Sequence, residues 1–206
     1  MNVKLISNPL ISNSLAILRA RETTTATFRQ HAKIVSTVLV IEASKSFATK
    51  VKNIETPLAP MKCDVLNDNI VVVPVLRAGL AMLFSAQDLL LDVPVGFVGL
   101  ERDEQTAVAR EYYQKFPLKL DGYRALILDP MLATGGSLDE TIRAVKKRGC
   151  TEITLACIVA APEGIKHVID NHPEAILYTA ATDDYLDDNK YIIPGLGDFG
   201  DRYFGT

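Results

Sequence analysis

The sequence predicts an α/β fold: a central parallel sheet flanked by helices, with a small hood contributed by the N- and C-terminal segments. Three observations predict it. Apolar, β-branched runs of the kind that form strands buried on both faces recur between residues 70 and 180. Helical patterns separate these runs, so the strands are joined by right-handed crossovers. A helical N-terminus and a glycine-rich C-terminus lie outside the alternation. The 206 residues suit one domain, with a core over about 60–182 and a hood from about 1–55 and 183–206.

The elements follow in order. Residues 12–21 and 24–47 read as helices, the second with Phe28, Ile34, Val35, Val38, Leu39 and Ile41 on a broad apolar face. "IVVVPVL" (70–76) is a strand, Gly79–Leu91 a helix, and "VPVGFVGL" (93–100) the next strand. The charged stretch 101–117 reads as a long loop or hairpin. "RALILD" (124–129) is a strand, and "SLDETIRAVKKRG" (137–149) a helix. In that helix Ser137 and Glu140 fit a capping box, Leu138, Ile142 and Val145 form the apolar stripe, and Gly149 suits the C-terminal cap. A strand (152–161), a short helix (163–171) and a final strand (175–180) complete the alternation.

Composition excludes several classes. With 48% hydrophobic and 23% charged residues, the chain is globular rather than disordered. A formal charge of −3 gives no general affinity for nucleic acid. The one dense basic cluster, Lys146-Lys147-Arg148, sits at a helix C-terminus, where cations suit the dipole. The three cysteines, Cys63, Cys150 and Cys157, are odd in number and form no CxxC, which predicts thiols in a reducing cytoplasm. His31, His167 and His172 form no ligand cluster with them, so a zinc site is not expected. The start, MNVKLISNPL, has no basic segment followed by an apolar one, and no apolar run is long enough to span a bilayer.

Chemistry concentrates in "LDPMLATGGS" (128–137). Asp129 ends an apolar strand, Thr134, Gly135 and Gly136 form a turn, and a helix begins at Ser137. Ligands of such sheets bind outside the carboxyl ends of the strands. A glycine turn entering a helix N-terminus presents N–H groups to an anion. Neither GxxxxGK[ST] nor GxGxxG is present, so a terminal monophosphate fits this loop better than a nucleotide tail. Asp129 would stand near a sugar hydroxyl or a bound metal. Arg77, after the 70–76 strand, is well placed for a ligand. In the tail, four of twelve glycines are interleaved with Tyr191, Phe199, Tyr203 and Phe204, which suits close backbone approach to a flat ligand.

"DPMLATGGS" (129–137), "VVPVLRAGL" (72–80), "AAPEG" (160–164) and "YIIPGLGDFGDRYFGT" (191–206) resemble the signatures of uracil phosphoribosyltransferases over nearly the whole chain. The resemblance implies the type I phosphoribosyltransferase fold and a role in pyrimidine salvage. The reaction is transfer of the phosphoribosyl group of 5-phosphoribosyl 1-diphosphate (PRPP) to uracil, giving UMP and diphosphate. It implies PRPP contacts at Arg77, Arg102, Asp129, Pro130, Met131, Leu132, Ala133, Thr134, Gly135, Gly136, Ser137 and Asp198. The 5-phosphate would rest on Ala133–Ser137 and the diphosphate on Arg77 and Arg102. Uracil would be read by Ile192, Gly197, Asp198 and Phe199. Backbone edges there would discriminate against cytosine by leaving its polar atoms mismatched.

The catalytic set implied is Arg77, Arg102, Asp129 and Asp198, acting by positioning and charge stabilisation, since no histidine lies in these motifs. Mg²⁺ is expected to ride on the diphosphate rather than in a dedicated protein site. The loop 101–116 is expected to close over the site and exclude water. The resemblance further implies a homodimer or homotetramer, and GTP as an activator in some relatives.

Four positions depart from the family's pattern: Glu101 and Ile41, where tyrosine is usual, Ala81 for glycine and Asn8 for histidine. They bear on loop behaviour, subunit contacts and rate. The competing readings are a phosphoribosyltransferase for another base, which the tail disfavours, and an RNA-binding or catalytically idle regulator on the same fold.

Overall fold

The computed structural model describes residues 2–102, 109–117 and 119–206, with backbone alone at 101, 102, 109 and 110. The chain starts with β1 (Val3–Leu5), α1 (Pro9–Arg19) and α2 (Thr25–Ser44). A hairpin of β2 (Thr49–Glu55) and β3 (Pro60–Leu66) follows. Then come β4 (Asn69–Leu76), α3 (Leu80–Leu89), β5 (Phe97–Arg102) and β6 (Ala109–Lys115). Next are β7 (Tyr123–Leu128), β8 (Met131–Leu132), α4 (Gly136–Lys146), β9 (Glu152–Ala160), α5 (Pro162–Asn171) and β10 (Ile176–Thr182). The tail holds β11 (Tyr185–Leu186), β12 (Ile192–Ile193) and α6 (Phe199–Phe204).

The main sheet runs β1-β10-β9-β7-β4-β5-β6, with β8 attached to β9. Its ladders are parallel except β5–β6, which is antiparallel. The central strands are buried on both faces, as their apolar runs require. Ile70 and Val72 of β4 face a core shared with α1, α2, α3 and the tail, while Val71, Val73 and Val75 face a second core under α4 and α5. β7 alternates likewise, Leu126 and Leu128 against Ala125 and Ile127. Each fully buried Val or Leu contributes about 1.5–3 kcal/mol relative to an exposed one.

The expected alternation of strands and helices is present, with several boundaries moved for physical reasons. The first helix starts at Pro9 rather than residue 12, because Asn8 caps it: its Oδ1 accepts from Ile11 N at 2.9 Å, with proline in the first turn. The strand expected at 93–100 begins at Phe97, since Pro94 has no N–H to offer the ladder; only Val95 bridges to Val72 before it. The 101–117 stretch resolves as the hairpin alternative: β5 continues to Arg102 and β6 returns from Ala109, with a bulge at Gly99/Leu100. The β2–β3 hairpin was not anticipated. It pairs with itself alone among the described strands and is largely exposed, so its polar sequence carries no core periodicity. Cys63 is half-buried, and Cys150 and Cys157 are buried, all three free. Burial pushes the Cys157 thiol well up, with the Asp129 charge adding to the effect. No described helix is long and apolar enough to cross a membrane.

Candidate active site

β4 and β7 are parallel neighbours, with Pro74 opposite Leu128, so their carboxyl ends deliver Arg77 and Asp129 to one edge of the sheet. A cavity of about 710 Å³ opens there. The sheet side contributes Arg77, Asp129, Met131, Ala133 and Ser137. The tail contributes Ile192, Gly197, Asp198 and Phe199. Nine of the residues expected at the site thus converge on one space. Leu132, Thr134 and Gly135 line a small adjoining niche that shares Asp129, Met131, Ala133 and Ser137. Pro130 and Gly136 line neither space. The Pro130 carbonyl instead accepts from Ile158 and Val159 N–H, each at 3.0 Å, fixing the loop to β9. Arg102 ends β5, and its side chain lies outside the described residues, as do residues 103–108 of the loop expected to close.

The capping box expected at Ser137 and Glu140 is not formed. α4 starts earlier, from Gly135, whose φ of 89° lies in the left-handed region that glycine adopts without penalty. The first intrahelical bond is Asp139 N to Gly135 O at 2.9 Å. The N–H groups of Gly136, Ser137 and Leu138 precede it and have no intrahelical acceptor. The Ser137 hydroxyl is not spent on capping either. Free donors and the positive end of the helix dipole make this turn a place for an anion.

The other polar groups are set by local structure. Asp129 is 9% exposed, and its Oδ1 accepts from Met131 N at 3.3 Å. Asp198 caps α6, accepting from Asp201 N at 2.9 Å, and is itself exposed. Arg77 is exposed and stands 3.6 Å from Asp201. The Leu76–Arg77 and Ile193–Pro194 peptides are both cis.

The tail is held over the sheet by two arginines and an aspartate. Arg19 pairs with both oxygens of the buried Asp183, at 2.5 and 2.7 Å, and donates to Gly195 O at 2.6 Å; Asp183 also accepts from Gly195 N at 2.8 Å. Arg202 donates to Leu196 O and Ala20 O and lies 4.6 Å over the Phe28 ring. Phe28 and Phe199 meet edge to face at 5.1 Å. Sequence reasoning missed Arg19, Asp183 and Arg202, because partners more than 160 residues apart leave no local pattern. It also missed Tyr112, Asn189 and Lys190 on the cavity wall. Lys190 and Asn189 directly precede the tail motif, a proximity that could have drawn attention to them.

Below the glycine turn that starts α4, Asp139 is 8% exposed. Burial pushes its carboxyl up, but the hydrogen bonds and charges of Arg143 and His172 outweigh that and hold it below the ordinary value. A depressed carboxyl stabilises the fold above its unfolded pKa and loses that contribution as pH falls through the folded value. Asp139→Asn is therefore expected to cost about 1–2 kcal/mol near neutral pH. The gap to wild type should close as pH drops below about 4. Urea unfolding across pH 2–7 measures it, and a gap that widens in acid would refute the assignment.

The uracil phosphoribosyltransferase family profile matches residues 5–206. A uracil phosphoribosyltransferase of Limosilactobacillus reuteri is 42% identical over 206 residues, covering 98% of each chain. Those of Levilactobacillus brevis and Clostridium botulinum are 41% identical, covering 98% of this chain and 98% and 97% of theirs. A solved Aquifex aeolicus protein superposes with a TM-score of 0.93 at 36% identity, covering 99% of this chain and 98% of that one. A hypoxanthine-guanine phosphoribosyltransferase of Bacillus anthracis shares the fold at a TM-score of 0.51 and 10% identity, covering 77% of this chain and 80% of that one. By its matches to the profile and to these relatives, the chain belongs to the uracil phosphoribosyltransferase family of glycosyltransferase enzymes.

Proposed function

We propose that this chain transfers the phosphoribosyl group of PRPP to uracil, releasing diphosphate and UMP. One observation carries the reading: a single cavity brings the helix start, whose first N–H groups have no intrahelical acceptor, together with Ile192, Gly197, Asp198 and Phe199 of the tail. Ala133–Ser137 would take the 5-phosphate, and Arg77 and Arg102 the diphosphate. Ile192, Gly197 and Phe199 would read uracil. Asp129 and Asp198 would orient the ribose hydroxyls. Uracil nitrogen forms the bond to the anomeric carbon as the bond to diphosphate breaks, and its ring N–H proton leaves to solvent or to the departing diphosphate. Positive charge grows on the sugar and negative charge on the leaving group, so fixed charges and exclusion of water do the chemistry.

Among the described residues no group of three or more His, Cys, Asp or Glu could hold a metal. The oxygen donors present on the cavity wall, Asp129 and Asp198, suit a hard cation shared with substrate phosphates. Magnesium carried by the diphosphate would offset charge on the leaving group.

The test is UMP formation from uracil, PRPP and Mg²⁺, beside cytosine, thymine and purine controls. Turnover with uracil and none with the controls is expected; turnover with a purine instead would overturn the reading. Adding GTP to the same assay tests an effector. Arg102→Ala should lower turnover far more than thermal stability, and equal loss of both would sink that assignment. Homo-oligomerisation is supported by the exposed Val51, Leu58 and Met61 on the β2–β3 hairpin. A cytoplasmic site agrees with three free cysteines.

A further inference from the structure

Beneath the glycine turn that starts α4 lies a charged cluster that the proposed reaction does not use. Asp139 accepts from Arg143 Nε at 3.0 Å and lies 2.6 Å from His172 Nε2. On the far side of that imidazole, Nδ1 is 2.9 Å from Lys146 Nζ. The Lys146 ammonium also pairs with Glu174.

His167 is held differently. Its Cβ and Cδ2 occupy the space beside Gly135, 3.2 and 3.0 Å from where a Cβ on that glycine would stand. Its Nε2 is buried without a hydrogen bond, 3.5 Å from Asp139 Oδ2, while the ring as a whole is 42% exposed. The charged group against it is Asp139 of α4; Arg143 and His172 share that carboxylate, and Lys146 and Glu174 follow beyond His172. On α5 itself Lys166 and Asp170 pair with each other, and Glu163 accepts from Leu186 N. The turn contributes backbone and the hydroxyls of Thr134 and Ser137.

We propose that His167 is a positioning residue of the phosphate loop, wedged between Gly135 and the Asp139 carboxylate so that its protonation strengthens binding of a sugar 5-phosphate. The inference rests on the 5-phosphate reading of Ala133–Ser137. An ionised Asp139 within the first turn of α4 opposes an anion at the helix start. A proton on His167 Nε2 meets that carboxylate, offsets its charge and brings a cation against the turn. Proton and phosphate then favour each other's binding by the same factor.

The experiment is calorimetric binding of ribose 5-phosphate to the intact protein and to His167→Gln, from pH 5.5 to 8.5, the range in which imidazoles change charge. Glutamine keeps the bulk and polarity and does not titrate. The phosphate's own ionisation affects both proteins and cancels in the ratio of their dissociation constants. The expected ratio is about three- to fivefold weaker binding by the variant at pH 5.5, falling to near one at pH 8.5, on the scale of a partly exposed ion pair. In turnover, the KM for PRPP should follow this ratio while the KM for uracil stays level. A ratio independent of pH would mean that His167 only fills space, and would overturn the proposal. Asp139→Asn supplies a second variant: it should tighten ribose 5-phosphate binding at pH 8.5, and weaker binding there counts against the proposal. Wild-type protein that fails to bind ribose 5-phosphate at any pH removes the loop reading and this inference together. Binding with the expected pH dependence but no UMP formation would leave the inference standing and remove the proposed reaction.

Discussion

Arg77→Ala is expected to lower kcat/KM for PRPP on the order of a hundredfold or more, the scale of losing one preorganised charge at a developing anion. Its thermal midpoint should move by no more than roughly 4 °C, because exposed ion pairs contribute about 0–1 kcal/mol. The asymmetry follows from position. Arg77 follows β4, with its side chain 61% exposed and its ion pair to Asp201 stretched to 3.6 Å. Such a guanidinium does little for the fold, yet it lines the cavity at the strand ends. Its planar fork fits two phosphate oxygens at once, so Arg77→Lys should recover only part of the loss. Steady-state kinetics and a melting curve on the same preparation settle it. A melting point that falls in step with activity would make Arg77 a structural residue.

Asp183→Ala should have the opposite profile, with stability falling first. Asp183 is 6% exposed and receives three hydrogen bonds, two from Arg19 and one from Gly195 N. Removing it leaves a partly buried guanidinium with only the Gly195 carbonyl. Breaking a buried pair from one side costs about 3 kcal/mol at the lower end. For a chain of this size that is roughly 6–12 °C in the melting point. The same contact fixes the turn at Gly195, between Ile192 and Gly197 of the cavity wall, which we propose read uracil, so the KM for uracil should rise more than that for PRPP. A melting point within two degrees of wild type, or a rise confined to PRPP, would overturn this account.

The sequence by itself determined the alternating strands and helices, because apolar periodicity is local: "IVVVPVL" and "RALILD" have no stable place except inside a parallel sheet. It also pointed to nine residues that line the cavity, since the "DPMLATGGS" turn and the glycine-rich tail are contiguous stretches whose backbone needs are written in their own residues, but not to Tyr112, Asn189 and Lys190 beside them. Helix starts were less legible. Ser137 looked like a cap, yet Gly135 closes the turn two residues earlier, because the left-handed φ there satisfies the chain without a side chain. Tertiary structure decided what joins distant segments. Arg19 reaches Asp183 across 164 residues, Arg202 reaches back to α1, and His167 comes to rest between Gly135 and Asp139. Charged side chains carry no periodicity that names their partners; only packing of the sheet and its helices brings them within hydrogen-bonding distance, and there burial makes each pairing matter.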